Sequence, residues 1–186
     1  MKFFDYVIQD AKARYGNNSF LKCLMRYYRL PSFKLLVNYR ETQDILNNKG
    51  GLGGGILLAI SRLRLERINS KYCTTLFEGL KAGEGLSFPH HGPFVINEGA
   101  IIGKYCTIHP QVLIGGDRGK GTPIIGDYVF IGNGAKIIGN CKIGDWVFIS
   151  PGAMITKDIP SESLVGYGLN NILNDDGKRH VEMYLK

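Results

Sequence analysis

One residue type returns at a fixed interval through most of the C-terminal half of the chain. Ile125, Ile131, Ile137, Ile143, Ile149 and Ile155 are spaced by six without error. Four places after each stands a small or aliphatic residue: Val129, Ala135, Cys141, Val147, Ala153 and Ile159. The same period runs upstream through Ile96, Ile102, Ile108 and Ile114, with Ala100, Cys106 and Val112 at the fourth following place. A period of six belongs neither to a helix, which repeats every 3.6 residues, nor to a strand, which repeats every two. It suits a coil of three short flat faces, one hexad to a face, stacked into a triangular prism with the isoleucines pointing inward. Gly126, Gly132, Gly144 and Ser150 follow their isoleucines. Small residues there permit tight corners, including positive φ. Fixed internal periods of this kind mark β-solenoids. The two registers are separated by the polar loop Asp117–Pro123. The 25 glycines among 186 residues, about twice the usual share of roughly 7 %, fit a fold made of repeated turns.

Residues 1–72 follow a different grammar and are predicted to form an α-helical N-terminal cap. Apolar positions recur at threes and fours in Phe3, Tyr6, Val7 and Ala11, and again in Phe20, Cys23, Leu24 and Tyr27. Asn17, Asn18 and Ser19 offer N-cap chemistry to the second stretch. Pro31 sits where a helix begins. The run Lys49–Gly55 reads as a flexible break. Ile56–Ile68 reads as a further amphipathic helix with Arg62, Arg64 and Arg67 on its polar side. The prism is assigned to 73–165 and a C-terminal tail to 166–186.

Charge follows the same division. Residues 1–73 hold 13 Lys/Arg against 5 Asp/Glu, whereas residues 74–186 hold 10 against 11. A basic cap can be a solvated face or can meet an anionic membrane surface; no motif for nucleic acid accompanies it. Cys23, Cys73, Cys106 and Cys141 have no metal-ligand spacing and suggest no disulfide framework, which favours a reducing cytoplasm. The N-terminus carries Asp5 and Asp10 and no apolar core, so no signal peptide is expected there. Leu52–Ile60 is too short to span a bilayer.

The pattern Ile-Gly-x-x-Ala/Val-x resembles that of the hexapeptide-repeat acyltransferases. Within them, His90–Ile159 is similar to serine O-acetyltransferases and their relatives in surface-polysaccharide clusters. The matching segments are Pro89–Asn97, Ile102–His109, Ile114–Gly116, Ile131–Asn140 and Ile155–Pro160. The resemblance implies a mainly β fold, a left-handed parallel β-helix, and a homotrimer with sites between subunits. It implies acetyl-CoA as co-substrate, and no metal is expected.

It also aligns His90 with the catalytic histidine, the general base that takes the acceptor hydroxyl proton. His91 and Asn97 are candidate acceptor-binding residues. His109, in the second place of a hexad, is expected to face outward, and His180 to be solvated. The carboxylate that partners the base in the family falls on Thr75, and Glu78 is the candidate replacement. Acetyl-CoA is expected near Gly115, Gly116, Asn133 and Pro151, with Lys136 and Lys157 toward its phosphates. Loop Asp117–Pro123 lacks the second histidine that the family carries there. That loss, the changed carboxylate and the basic cap favour a glycan acceptor, with acetylation of a sugar hydroxyl in surface-polysaccharide synthesis as the leading expectation. The alternatives are a serine O-acetyltransferase of cysteine biosynthesis and a non-enzymatic β-helix scaffold.

Overall fold

The computed structural model describes residues 3–16, 20–48, 52–117, 119 and 121–185. The expected cap at Asn17–Ser19 and the first part of the glycine-rich run lie outside them. Four helices come first: α1 (Phe3–Tyr15), α2 (Phe20–Arg29), α3 (Pro31–Asn47) and α4 (Leu52–Tyr72). Pro31 is the first residue of α3, where its missing N–H has no helical acceptor to lose. The expected break does not extend to Gly55, because Leu52–Gly55 already belong to α4. Packing explains the departure: Leu58, Ser61 and Leu65 are buried, and such burial outweighs the low helix propensity of a few glycines. Among the described residues no helix is long and apolar enough to cross a membrane.

Short strands then wind round three faces. The first face holds β1 (Thr74–Thr75), β3 (Phe94–Ile96), β6 (Leu113–Gly115), β9 (Lys136–Ile138), β12 (Ala153–Ile155) and β14 (Gly168–Leu169). The second holds β2 (Lys81–Ala82), β4 (Ile101–Ile102), β7 (Ile124–Ile125) and β10 (Lys142–Ile143). The third holds β5 (Thr107–Ile108), β8 (Phe130–Ile131), β11 (Phe148–Ile149), β13 (Leu164–Val165) and β15 (Ile172–Asn174). These pairings are parallel except the last, β13 with β15. The registers stack the isoleucines in columns. Ile96, Ile114, Ile137 and Ile155 form one, Ala82, Ile102, Ile125 and Ile143 the second, and Ile108, Ile131, Ile149 and Val165 the third. None of the ten hexad isoleucines from Ile96 to Ile155 is more than 3 % exposed.

Two details depart from the six-residue reading. Ile159 bridges Ile143 and so continues the second column, four residues after Ile155 instead of six; the last coil is shortened. At the corner between the second and third faces, the left-handed positions belong to Tyr105, Tyr128 and Trp146, at φ of 54°, 56° and 59°. The glycines there serve close approach. A Cβ on Gly126 would lie 2.9 Å from the Gly144 carbonyl carbon and 2.3 Å from Asp145 Oδ1. Coils one strand spacing apart leave no room for it. The aromatic side chains stack from coil to coil, Tyr105 on Tyr128 at 5.1 Å and Tyr128 on Trp146 at 4.1 Å.

The helices are tied to the first coil by buried polar bonds. Arg40 of α3 donates to Asp10 of α1 at 2.9 Å and to the carbonyls of Ala82 and Gly83 at 2.8 and 2.5 Å. Asp10 also accepts from Leu86 N at 2.9 Å. Burial holds the Asp10 carboxyl above its ordinary range, and Arg40 offsets only part of that rise. The segment read as a tail contains β14, β15 and α5 (Gly177–Leu185). Val181 of α5 is buried with Phe130 and Phe148 of the third face.

Candidate active site

The three faces meet at three edges, and the candidate residues divide between two of them. Connections from the third face to the first carry His90 and His91, then Gln111, then Asn133, then Pro151, one coil above another. Connections from the first face to the second carry Asn97, then Gly116 and the loop to Pro123, then Lys157. The two groups are thus separated by the breadth of the first face. Gly115 ends β6 on that face, and Lys136 begins β9 with its side chain exposed.

His90 is exposed and lies just before the first regular coil, after the buried Phe88. Its ring centre is 5.8 Å from that of His109. His109 in turn lies 4.9 Å from the ring of Phe130. Burial lowers the basicity of His109, with smaller contributions from His90 and Arg14, so it is uncharged at neutral pH. Two imidazoles therefore share this edge, and the outward-facing His109 packs against both His90 and Phe130. Coil arithmetic was the available signal: a regular coil is 18 residues, as from Ile96 to Ile114, which sets His109 one coil after His91 and so beside its neighbour His90. His91 meets the edge of Tyr72 at 6.0 Å. His180 is half-buried and contacts Phe148 at 5.4 Å rather than standing in solvent.

Glu78 is engaged elsewhere. Its Oε1 pairs with Arg62 Nε of α4 at 2.7 Å, and among the described residues no hydrogen bond or ion pair joins it to His90. Thr75 lies in β1 beside Val95 and supplies no carboxylate. Asn97 Oδ1 accepts from Gly99 N at 2.9 Å, on the edge away from His90. Asn133 Nδ2 donates to Gln111 Oε1 at 3.2 Å, on the His90 edge. An open groove at the other edge is lined by Asp117, Ile138, Gly139, Asn140 and Thr156. Among the described residues no group of three or more His, Cys, Asp or Glu is placed to hold a metal ion.

Residues 122–157 match the family model described as bacterial transferase hexapeptide (six repeats). The chain is 32 % identical over 160 residues to a serine acetyltransferase of Synechococcus elongatus, covering 84 % of this chain and 60 % of that one. These matches are consistent with the hexapeptide-repeat acyltransferase superfamily. A Staphylococcus aureus serine acetyltransferase is 39 % identical over 104 residues, 54 % of this chain and 49 % of its own. The chain therefore spans about half to three-fifths of the length of the curated relatives it matches. Among solved structures, serine acetyltransferase isoform 3 of Entamoeba histolytica, in complex with cysteine, aligns with a TM-score of 0.72 at 28 % identity, over 89 % of this chain and 58 % of that one. The Neisseria gonorrhoeae serine acetyltransferase shares the fold, with a TM-score of 0.75 at 23 % identity over 92 % of this chain and 65 % of that one. The hexapeptide repeat and these neighbours imply the left-handed sense of the coil. The expectation of a sugar acceptor in polysaccharide synthesis is overturned by the relatives just named, which are serine acetyltransferases.

Proposed function

We propose that the chain is a serine O-acetyltransferase, which moves the acetyl group of acetyl-CoA to the hydroxyl of L-serine. The observation that carries this reading is the extent of the Synechococcus match. At 160 residues it is longer than the prism and takes in helices as well as repeat. His90 is the general base. Its imidazole takes the serine hydroxyl proton as the oxygen attacks the thioester carbonyl. The tetrahedral intermediate then collapses, the C–S bond breaks, and the proton passes from His90 to the departing thiolate. A positioned base of this kind contributes about 10²–10⁴-fold in rate.

A homotrimer completes the site in this reading. The separation of the candidate residues onto two edges of one face supports it, because packing prisms side by side brings the His90 edge of one subunit to the Gly116 edge of the next. Acetyl-CoA then lies between prisms, against Gly115, Gly116 and Lys157 on one side and Asn133 and Pro151 on the other, with Lys136 on the intervening face.

The test is thiol release from acetyl-CoA, with the wild type and His90→Ala, against L-serine and a panel of sugars. Turnover of L-serine that falls about 10²–10⁴-fold in His90→Ala is the expected result. Turnover of a sugar and not of serine, or no turnover at all, would sink the reading.

A further inference from the structure

A row of rings crosses the outer side of the third face and ends at His90. Tyr184 of α5 lies over Phe130 at 4.3 Å and near Phe148 at 5.8 Å. Phe130 and Phe148 stack at 4.5 Å with planes 2° apart. Phe130 contacts His109 at 4.9 Å, and His109 contacts His90 at 5.8 Å. These separations lie in the range where ring pairs attract and orient one another. Phe130 and Phe148 are buried beneath Val181 of α5, so their rings cannot swing away while the helix stays docked. His90 itself is exposed, and His109 is the ring that packs against its imidazole.

We propose that His109 is a positioning residue for the His90 imidazole, and that α5 sets its place through Tyr184 and Phe130. This rests on His90 being the base of the proposed reaction. The chemistry suits the task. His90 becomes cationic when it takes the hydroxyl proton, and a second cation alongside would oppose that step. Burial keeps His109 neutral, so it packs against the base without repelling it. A misplaced base loses rate without losing affinity for the donor, since small displacements of a reacting group are costly.

The experiment combines kinetics with the NMR signals of the histidine rings, using the full chain. His109→Ala is expected to lower kcat for L-serine about tenfold while KM for acetyl-CoA holds, and to shift the His90 ring resonance. His109→Phe, which keeps a ring against Phe130, should recover most of the rate. Tyr184→Ala should shift the same His90 resonance by a smaller amount. In a His90→Ala background, His109→Ala should cost nothing further, because it acts only through the base. An unmoved His90 resonance and unchanged kcat in His109→Ala overturn the proposal, as does an equal loss in the His90→Ala background. Failure of the wild type to turn over L-serine is a separate result that strikes the proposed acceptor. The resonance shifts still decide whether α5 and His109 position His90.

Discussion

The prism and the junction that ties the helices to it are stabilised in opposite ways. In the prism the same contact is made many times: isoleucine on isoleucine, coil after coil, in three columns. Each residue touches its neighbours above and below, so a loss is felt locally and the rest of the column stands. At the junction one side chain does several things at once. Arg40, 2 % exposed, holds Asp10 of α1 and two carbonyls of the first coil, and its guanidinium lies 4.5 Å over Tyr6. Repetition makes the prism tolerant of single changes. Concentration makes the junction sensitive to them.

The sharpest way to break that contrast is Arg40→Met. It leaves the Asp10 carboxyl buried without its cation, and breaking a buried pair in this manner costs about 3–5 kcal/mol. Denaturant unfolding followed by circular dichroism should show this loss, with the helical signal going first. The double variant Asp10→Leu/Arg40→Met should recover much of it, because no orphaned charge remains. A single variant within 1 kcal/mol of wild type would show that the pair adds little to the docking of α1 and α3.

Next in size is Ile131→Ala in the third column. Deleting a buried isoleucine costs about 2–5 kcal/mol through lost transfer and the cavity left behind. Between Ile108 and Ile149, the expected loss is about 3 kcal/mol. It should appear in the strand signal while the helices keep their docking. If Ile131→Ala released the helices as readily as Arg40→Met, the prism and junction would be one cooperative unit, and the comparison would fail.

The same contrast governs what could be read from the sequence. Repetition is legible: six residues between isoleucines gave the columns, the inward faces and the three-sided coil. The shortened last coil was hidden because Ile159, four places after Ile155, also satisfied the hexad rule for a second inward residue. The junction was not legible, since Asp10 and Arg40 are 30 residues apart and neither belongs to a repeat. Glu78 was a reasonable candidate by chain distance from Thr75, but α4 returns Arg62 to it. At the site, His90 is a candidate through resemblance. His109 was expected only to face outward, at the surface or toward another subunit, whereas an outward position on a flat face can also lie against a neighbouring coil. The split of the other candidates between two edges follows from which connection each occupies, a property of topology that residue type does not disclose.

The smallest expected effect comes at the corner where aromatic residues hold left-handed backbone. Tyr128 sits at φ 56°, a conformation that costs an ordinary L-residue about 1–2 kcal/mol. Asparagine adopts it more readily. Tyr128→Asn therefore relieves backbone strain. Against that, it removes a ring stacked between Tyr105 and Trp146 at 5.1 and 4.1 Å, and aromatic pairs contribute about 0.5–1.5 kcal/mol each beyond burial. The terms oppose one another at similar size, and the lost burial of a half-exposed ring tips the sum toward a net loss of about 1 kcal/mol. In a chain of this length that is a fall of about 2–4 °C in Tm. Gly126→Ala on the same coil should do more harm despite its smaller change in volume. Its new methyl meets the Gly144 carbonyl carbon at 2.9 Å and Asp145 Oδ1 at 2.3 Å, and backbone of the next coil cannot move aside without disturbing its own pairing. A ranking with Tyr128→Asn below Gly126→Ala in stability would mean that the aromatic ladder, and not the close approach of the coils, holds this corner together.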